Sequence, residues 1–229
     1  MILLDSGYAD TADHIVDSIR KLGGDPGRLK YLIVTHGHND HFAGAGRIKQ
    51  VTGARIAMSE PDWTLVERAF TGPGNNGVPF TRDMVIKDGE TLTLGDTTLK
   101  FHVLPGHTQG NVGTEIQARD GAKRYRALVG LAFAPAPGLT SASIATTERL
   151  RKLGPWDALL TSHSYLAPVP IPLTAHEIFM GVKPTTTVPR KTEHPAVAGA
   201  DYINAYFDTI LTATRARLAG EQAAGATTR

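Results

Sequence analysis

Three histidines and one aspartate fall within six residues of this 229-residue chain, in the segment Thr35-His36-Gly37-His38-Asn39-Asp40-His41. The segment directly follows an apolar, β-branched run at 31–34 that predicts a buried strand. A loop at the end of a strand in an α/β sheet is where ligand sites are usually built. Imidazole nitrogen and carboxylate oxygen together suit zinc and similar divalent ions. The segment therefore predicts a metal site.

Two further histidines occupy the same kind of position. His107 follows the predicted strand Thr97–Leu104 in a Pro-Gly-His-Thr turn, and His163 follows the short apolar run Ala158–Leu160. A single strand-end histidine is more often structural than a ligand, but the cluster at 36–41 reverses that expectation for both. The remaining four histidines have polar or strand-interior surroundings and are predicted to be structural: His14, His102, His176 and His194.

The composition limits how a metal can be held and which partners are expected. The chain has no cysteine, which excludes disulfides, thiolate nucleophiles and Cys-based zinc sites. The 24 Lys and Arg against 22 Asp and Glu give a net charge of only +2, so neither a nucleic acid nor a membrane is expected as partner. The first residues show no targeting signal, and the compartment is left open: cytoplasmic for the chain as it stands, secreted or periplasmic if the true start lies upstream.

The first part of the chain alternates predicted strands and helices, which indicates an α/β fold. Apolar residues recur at helical spacing over 12–22, and Gly23 and Gly24 end that helix. The other elements predicted in this part are the strands Ile2–Leu4, Tyr31–Val34 and Arg55–Met58 and the helices Ala45–Val51 and Pro61–Phe70.

After the Gly- and Asn-rich loop at 71–77 the pattern changes to β, with turns at Asp88-Gly89, Gly95-Asp96 and Asp120-Gly121. The predicted elements are the strands Met84–Ile86, Thr91–Leu94, Thr97–Leu104, Val112–Gln117, Tyr125–Val129 and Ala158–Leu160 and the helices Thr146–Leu153 and Asp201–Leu218. No linker divides the chain, so one domain over 1–229 is predicted, with 220–229 as a frayed tail.

The motifs and their order resemble those of the metallo-β-lactamase superfamily. The resemblance rests on the Leu-Leu-Asp-Ser-Gly opening, the Thr-His-Gly-His-Asn-Asp-His loop, the Pro-Gly-His-Thr turn and the late strand-end histidine. It implies an α/β fold of the αβ/βα four-layer sandwich type, here expected to lack its first N-terminal strands. It also implies two zinc ions per chain, the second held more weakly. The implied ligands are His36, His38 and His107 for the first ion and Asp40, His41 and His163 for the second.

The resemblance also bears on the reaction. It implies hydrolysis of a small-molecule substrate by metal-activated water that attacks a carbonyl, with Asp40 as the catalytic residue that orients this water. The chain has a histidine where other members have cysteine in the second site, and it has a long run at 63–82. In both features it is most similar to the third, broad-spectrum subclass of metallo-β-lactamases. Glyoxalase II and lactonase groups place a bridging aspartate where this chain has Gly130 or Leu131. Cyclic amide hydrolysis is therefore the leading hypothesis. The alternatives are a lactone, ester or thioester hydrolase and a non-catalytic metal-binding remnant.

Residues near these motifs have two interpretations each. Asp5 either holds a ligand imidazole through its distal N–H or only caps its turn. Thr35 and Thr108 are interpreted as hydroxyls that stabilise their loops. Aromatic residues flank the 71–77 loop, and core packing is favoured over a pocket lining for all of them: Trp63, Phe70 and Phe80. The oligomeric state is left open.

Overall fold

The computed structural model describes residues 1–74, 76–160 and 197–227. The predicted ligand His163 lies outside these residues. The described residues form two compact units, one built mainly from residues 1–96 and the other mainly from residues 114–160 and 197–227, with the segment 97–113 divided between them. The prediction of a single domain stays a prediction.

The first unit contains a four-stranded sheet in the order β1-β2-β3-β4, in which every neighbouring pair is parallel. Short continuous apolar runs form such strands because both faces of a parallel sheet are covered. The strands are β1 (Ile2–Leu4), β2 (Tyr31–Ile33), β3 (Arg55–Ser59) and β4 (Met84–Ile86). The helices of this unit are α1 (Ala12–Lys21), α2 (Asn39–Phe42), α3 (Ala45–Thr52) and α4 (Glu60–Thr71).

Aromatic residues of this unit pack in its core, as the sequence predicts. Trp63 is 1% exposed and its Nε1–H donates to the Met84 carbonyl oxygen at 2.8 Å. The rings of Phe70 and Phe80 are half-buried against the same core and lie edge to face, with centroids 5.2 Å apart. These contacts confirm core packing over a pocket lining for these side chains.

The second sheet has five strands in the order β5-β6-β7-β8-β9. β7 and β8 form an antiparallel hairpin, and β8 pairs in parallel with β9. The strands are β5 (Thr91–Leu94), β6 (Thr97–Val103), β7 (Val112–Asp120), β8 (Lys123–Val129) and β9 (Ala158–Leu160). Two helices accompany them, α5 (Thr140–Leu153) and α6 (Ala200–Thr227). A separate core that includes Leu128, Trp156 and Phe207 stabilises the second unit.

Two helices are longer than the sequence predicts. α5 begins at Thr140 rather than Thr146, and α6 continues through the predicted frayed tail to Thr227. Glu221 explains part of the extension, because its Oε1 accepts hydrogen bonds from Thr140 Oγ1 at 2.9 Å and from Arg217 Nε at 2.8 Å. Within the residues described, no helix combines the length and apolar composition that crossing a bilayer requires.

Candidate metal centre

Residues 35–41, called the metal loop below, follow β2 and include the first three residues of α2. The residue after β2 is still hydrogen-bonded to the sheet, because the Val34 N–H donates to the Ala57 carbonyl at 3.0 Å. His38 is the extended residue before α2, and its carbonyl accepts the N–H groups of His41 and Phe42 at 2.9 and 3.1 Å. Asp40 therefore lies on the first turn of a short helix, directly after the His-Gly-His segment.

The carboxylate of Asp5 accepts three hydrogen bonds from the metal loop. Its Oδ1 accepts the Thr35 N–H at 2.7 Å, and its Oδ2 lies 3.0 Å from Thr35 Oγ1 and 2.9 Å from His41 Nδ1. Asp5 has φ of +63°, a conformation that aspartate adopts more readily than most residues. The contact with His41 Nδ1 confirms the interpretation that Asp5 holds a predicted ligand imidazole, and the bonds to Thr35 fix the start of the metal loop.

These bonds assign the proton positions on two imidazoles. A carboxylate only accepts, so the single hydroxyl hydrogen of Thr35 points to Asp5. Thr35 Oγ1 must then accept from His36 Nδ1, which lies 3.2 Å away. His41 Nδ1 likewise donates to Asp5. Nε2 is consequently the atom through which His36 and His41 can coordinate a metal.

His107 is oriented by a backbone carbonyl. Its Nδ1 lies 2.7 Å from the Ala134 carbonyl oxygen, which can only accept, so Nε2 is again the ligand atom. The preceding Gly106 has φ of +153°, and a Cβ there would lie 2.8 Å from Ser143 Cα. Only glycine fits this turn. Thr146 Oγ1 also donates to the Pro105 carbonyl at 2.7 Å and fastens the same turn to α5.

One side-chain ligand atom from each of His36, His38 and His107 lies within 4.8 Å of the others. His36 is buried, and the other two are half-buried. Three neutral imidazoles with an open fourth position form the usual donor set of a catalytic zinc site. The donor set therefore fits zinc.

Asp40 and His41, two of the ligands predicted for a second ion, are neighbours in space as well as in sequence. His41 Nε2 lies 3.3 Å from Asp40 Oδ2, and the His36 and His41 ring centroids are 3.8 Å apart. Burial would lower the pKa of His41, but the hydrogen bonds to Asp40 and Asp5 outweigh it and raise the pKa from 6.5 to about 9. The metal-free imidazole therefore carries a proton that a cation at this position must displace.

Two positioning groups have no clear signal in the sequence. Ser6 is fully buried, and both its N–H and its hydroxyl donate to the His41 carbonyl, at 2.8 and 2.6 Å. A serine beside a glycine is common in any turn, so its role could not be predicted. The Ala134 carbonyl that orients His107 is a backbone group, which residue type does not reveal.

The end of β8 has no carboxylate. Gly130 follows its last residue with φ of +83°, and its N–H donates to the Leu160 carbonyl at 3.0 Å. An L-residue with a side chain would be strained at this φ. Gly130 therefore stands at the end of this strand, where the glyoxalase II and lactonase groups are expected to carry an aspartate.

The model of the metallo-β-lactamase superfamily matches residues 1–122, more than half of the chain. The fold is similar to that of BJP-1, a subclass B3 metallo-β-lactamase of Bradyrhizobium japonicum (26% identity, TM-score 0.74, 97% of this chain and 85% of that chain). It is also similar to LRA-12, a class B3 di-zinc metallo-β-lactamase from an Alaskan soil metagenome (24% identity, TM-score 0.70, 93% and 82% coverage).

The curated relatives match over shorter stretches. A hydroxyacylglutathione hydrolase of Pseudomonas putida strain W619 is 34% identical over 84 residues, 37% of this chain and 27% of the relative. The chain thus spans about a quarter of that protein's length. The family match includes His36, His38 and His107, and the predicted α/β fold is confirmed, with two sheets flanked by helices. The chain therefore belongs to the metallo-β-lactamase superfamily of metal-dependent hydrolases.

Proposed function

We propose that this chain is a zinc-dependent β-lactamase-like enzyme that hydrolyses a cyclic amide. The observation that carries the proposal is the structural similarity to BJP-1, which extends over 97% of this chain. The glycine at the end of β8 supports the same assignment, because the resemblance implies an aspartate there in the thioester- and lactone-hydrolysing groups.

His36, His38 and His107 are the residues that would hold the first ion. When bound, zinc supplies a Lewis acid that polarises a carbonyl and activates water near neutral pH. The protein's contribution is to fix the imidazoles before the ion arrives. Thr35 and the Ala134 carbonyl hold Nδ1 of two of them, at 3.2 and 2.7 Å, so those rings need little reorganisation.

Asp40 is the proposed catalytic residue. It is the carboxylate of the metal loop, and its side chain is 24% exposed, whereas the neighbouring His41 is 3% exposed. A partly exposed carboxylate can accept a proton from the attacking water and orient it toward a carbonyl. The chain has no cysteine, so a thiolate nucleophile plays no part.

A second ion would be held by Asp40, His41 and His163, with lower affinity than the first. Binding there requires His41 to lose a proton that two carboxylates stabilise. This proton therefore competes with the metal for the imidazole. Gly130 offers no bridging carboxylate to offset the repulsion between two dications. We therefore propose two zinc ions per chain, of which the second is released first.

Thioester hydrolysis is the second candidate. The observation in its favour is the sequence similarity to hydroxyacylglutathione hydrolases, which reaches 29% identity over 165 residues in the protein of Acidiphilium cryptum strain JF-5. That alignment covers 70% of this chain and 60% of the relative. The identity of the leaving group depends on the residues around the substrate rather than on the metal ligands, so both substrates need to be tested. A non-catalytic metal-binding protein is the remaining alternative.

The proposal is tested by assaying the zinc-loaded protein against a chromogenic β-lactam, a lactone and a thioester side by side. We expect the β-lactam to be hydrolysed with the highest kcat/KM, the activity to disappear with a chelator and zinc to restore it. Thioester turnover with an intact β-lactam would assign the second candidate. Zinc binding with no turnover of any of the three would favour the non-catalytic alternative.

A further inference from the structure

Helix α5 carries a threonine whose hydroxyl bonds outside its own helix. A threonine within a helix can donate to the carbonyl four residues back, as Thr147 does to Ser143 at 2.9 Å. The neighbouring Thr146 instead donates to the Pro105 carbonyl at 2.7 Å, although these two residues are 41 positions apart. The hydroxyl of Thr146 therefore connects α5 to the residue two positions before His107.

Two further hydrogen bonds hold the turn around His107, and both come from the loop between β8 and α5. The Ala136 N–H donates to the Gly106 carbonyl at 2.9 Å, and the Ala134 carbonyl lies 2.7 Å from His107 Nδ1. Loops are generally more mobile than the helices that they connect. Of these three bonds, the one from Thr146 starts within a helix, so it ties the turn to the more rigid element.

Close packing holds α5 beside this turn independently of the hydroxyl. A Cβ on Gly106 would lie 2.8 Å from Ser143 Cα, so the two backbones are in direct contact. Ser143 and Thr146 are three residues apart and share one face of α5. Removal of the Thr146 hydroxyl therefore leaves the helix packed in place and takes away the bond to Pro105.

We propose that Thr146 is a positioning residue for zinc, which acts on the His107 imidazole through the Pro105 carbonyl. The inference rests on the proposed zinc site and extends it to a residue that touches no ligand ring. Without the hydroxyl, the Pro105 carbonyl loses this donor and the turn is tied to α5 less firmly. Zinc accepts imidazole nitrogen only within a narrow range of distances, so a displaced His107 binds the ion less tightly.

Thr146→Val tests the proposal, because valine has nearly the shape of threonine and no hydroxyl. Thr147→Val is the matched control, since Thr147 is the next residue of α5, is 1% exposed and bonds within its own helix. Thr146→Ser keeps the hydroxyl. Competition with a chromogenic chelator measures the zinc affinity of each full-length protein.

Two further measurements separate positioning from a merely structural role. The visible spectrum of each protein with an equimolar amount of Co²⁺ in place of zinc reports the geometry of the ligands around the metal. Denaturant unfolding of the metal-free proteins reports their stability without any contribution from the ion.

We expect Thr146→Val to weaken zinc binding about tenfold, the lower end of the usual cost of losing a group behind a metal ligand. Its Co²⁺ spectrum should also differ from that of the wild type. Thr146→Ser and Thr147→Val should keep the wild-type affinity and spectrum, because both retain a hydroxyl that donates to the Pro105 carbonyl.

Wild-type zinc affinity in Thr146→Val would overturn the inference, even where the metal-free variant is less stable, and so would an equal loss of affinity in Thr147→Val. The outcome is separable from that of the proposed function. A protein whose zinc affinity depends on Thr146 but that hydrolyses no carbonyl substrate retains the inferred positioning role and refutes the proposed reaction.

Discussion

At the scale of single residues, Asp5 connects ligands predicted for two different ions. It binds His41 directly, and it holds His36 through the hydroxyl of Thr35. A carboxylate behind a ligand imidazole fixes the ring and increases its basicity. The same side chain accepts the Thr35 N–H, so the loop backbone and the ligand rings depend on one group.

Asp5→Asn should weaken zinc binding by roughly 10- to 100-fold, the usual cost of losing such a partner. Asparagine also tolerates the positive φ of this position, so the turn should survive. Competition with a chromogenic chelator measures the change. Asp13→Asn is the control, since Asp13 is exposed and paired with Arg47. Wild-type affinity in Asp5→Asn would show that this carboxylate only caps its turn.

Asp40→Ala should reduce turnover of the best substrate by roughly two to four orders of magnitude, because it removes a positioned proton acceptor. The fold should persist, since Asp40 is partly exposed on a four-residue helix. Steady-state kinetics measures the first effect, and circular dichroism with thermal melting measures the second. Hydrolysis at nearly the wild-type rate would contradict the assigned role.

The raised pKa of His41 predicts a pH-dependent stability of the metal-free protein. Unfolded His41 loses its proton near pH 6.5, whereas the folded residue keeps it until about pH 9. The stabilisation is therefore complete below pH 6.5 and is lost as the pH rises through 9. The melting temperature of chelator-treated protein should fall across this range. Asp40→Asn should flatten the decline, and an unchanged decline in that variant would refute this origin.

At the scale of elements, α3 approaches the loop after α4 so closely that only glycine fits. A Cβ on Gly46 would lie 1.9 Å from the Val78 carbonyl oxygen, inside any permitted contact. Alanine normally stabilises a helix relative to glycine by about 1 kcal/mol. Close packing makes alanine destabilising at this position. A substitution of Gly46 therefore reports how tightly α3 packs against the loop.

Gly46→Ala should lower the free energy of unfolding by about 1–3 kcal/mol, since the backbone must shift to admit the methyl group. Gly220→Ala provides the matched control on α6, where a Cβ would meet nothing within 4 Å. That change should be neutral or raise stability by up to about 1 kcal/mol. Denaturant unfolding compares them, and a stabilised Gly46→Ala would contradict the packing described.

Local pattern predicted the elements that position the metal loop. The apolar run at 31–34 predicted β2. The helical periodicities predicted α1 and α3, with ends within a few residues of those in the structure. The predictions succeed here because burial imposes a regular spacing on the sequence. The start of α5 was missed because Ile144 is the one large apolar residue in 140–145, too few to show a helical period.

Local sequence pattern does not predict contacts between residues that are far apart in the chain. The bond between Asp5 and His41 joins residues 36 positions apart, and the bond between His107 and Ala134 joins residues 27 apart. The sequence suggested a role for Asp5 but left its partner open. It gave no indication of Ala134, because every residue carries a carbonyl and only the fold decides which one faces an imidazole.

At the scale of the whole molecule, zinc binding and folding are linked. The predicted ligands come from segments far apart in the chain, so the unfolded chain cannot present them together. An ion that binds only the folded protein stabilises it by a free energy that grows with the logarithm of the ion concentration relative to the dissociation constant. Stabilisation by zinc therefore requires that His36, His38 and His107 hold an ion.

Zinc counting during chelator titration tests this claim most directly. The protein is reconstituted with excess zinc, titrated with chelator and measured by elemental analysis, with His107→Ala as the test variant and His14→Ala as control. We predict that the wild type and His14→Ala start near two ions per chain and pause at one, whereas His107→Ala loses this tightly held ion. Absence of stoichiometric zinc in the wild type, or retention of the last ion by His107→Ala, would contradict the account.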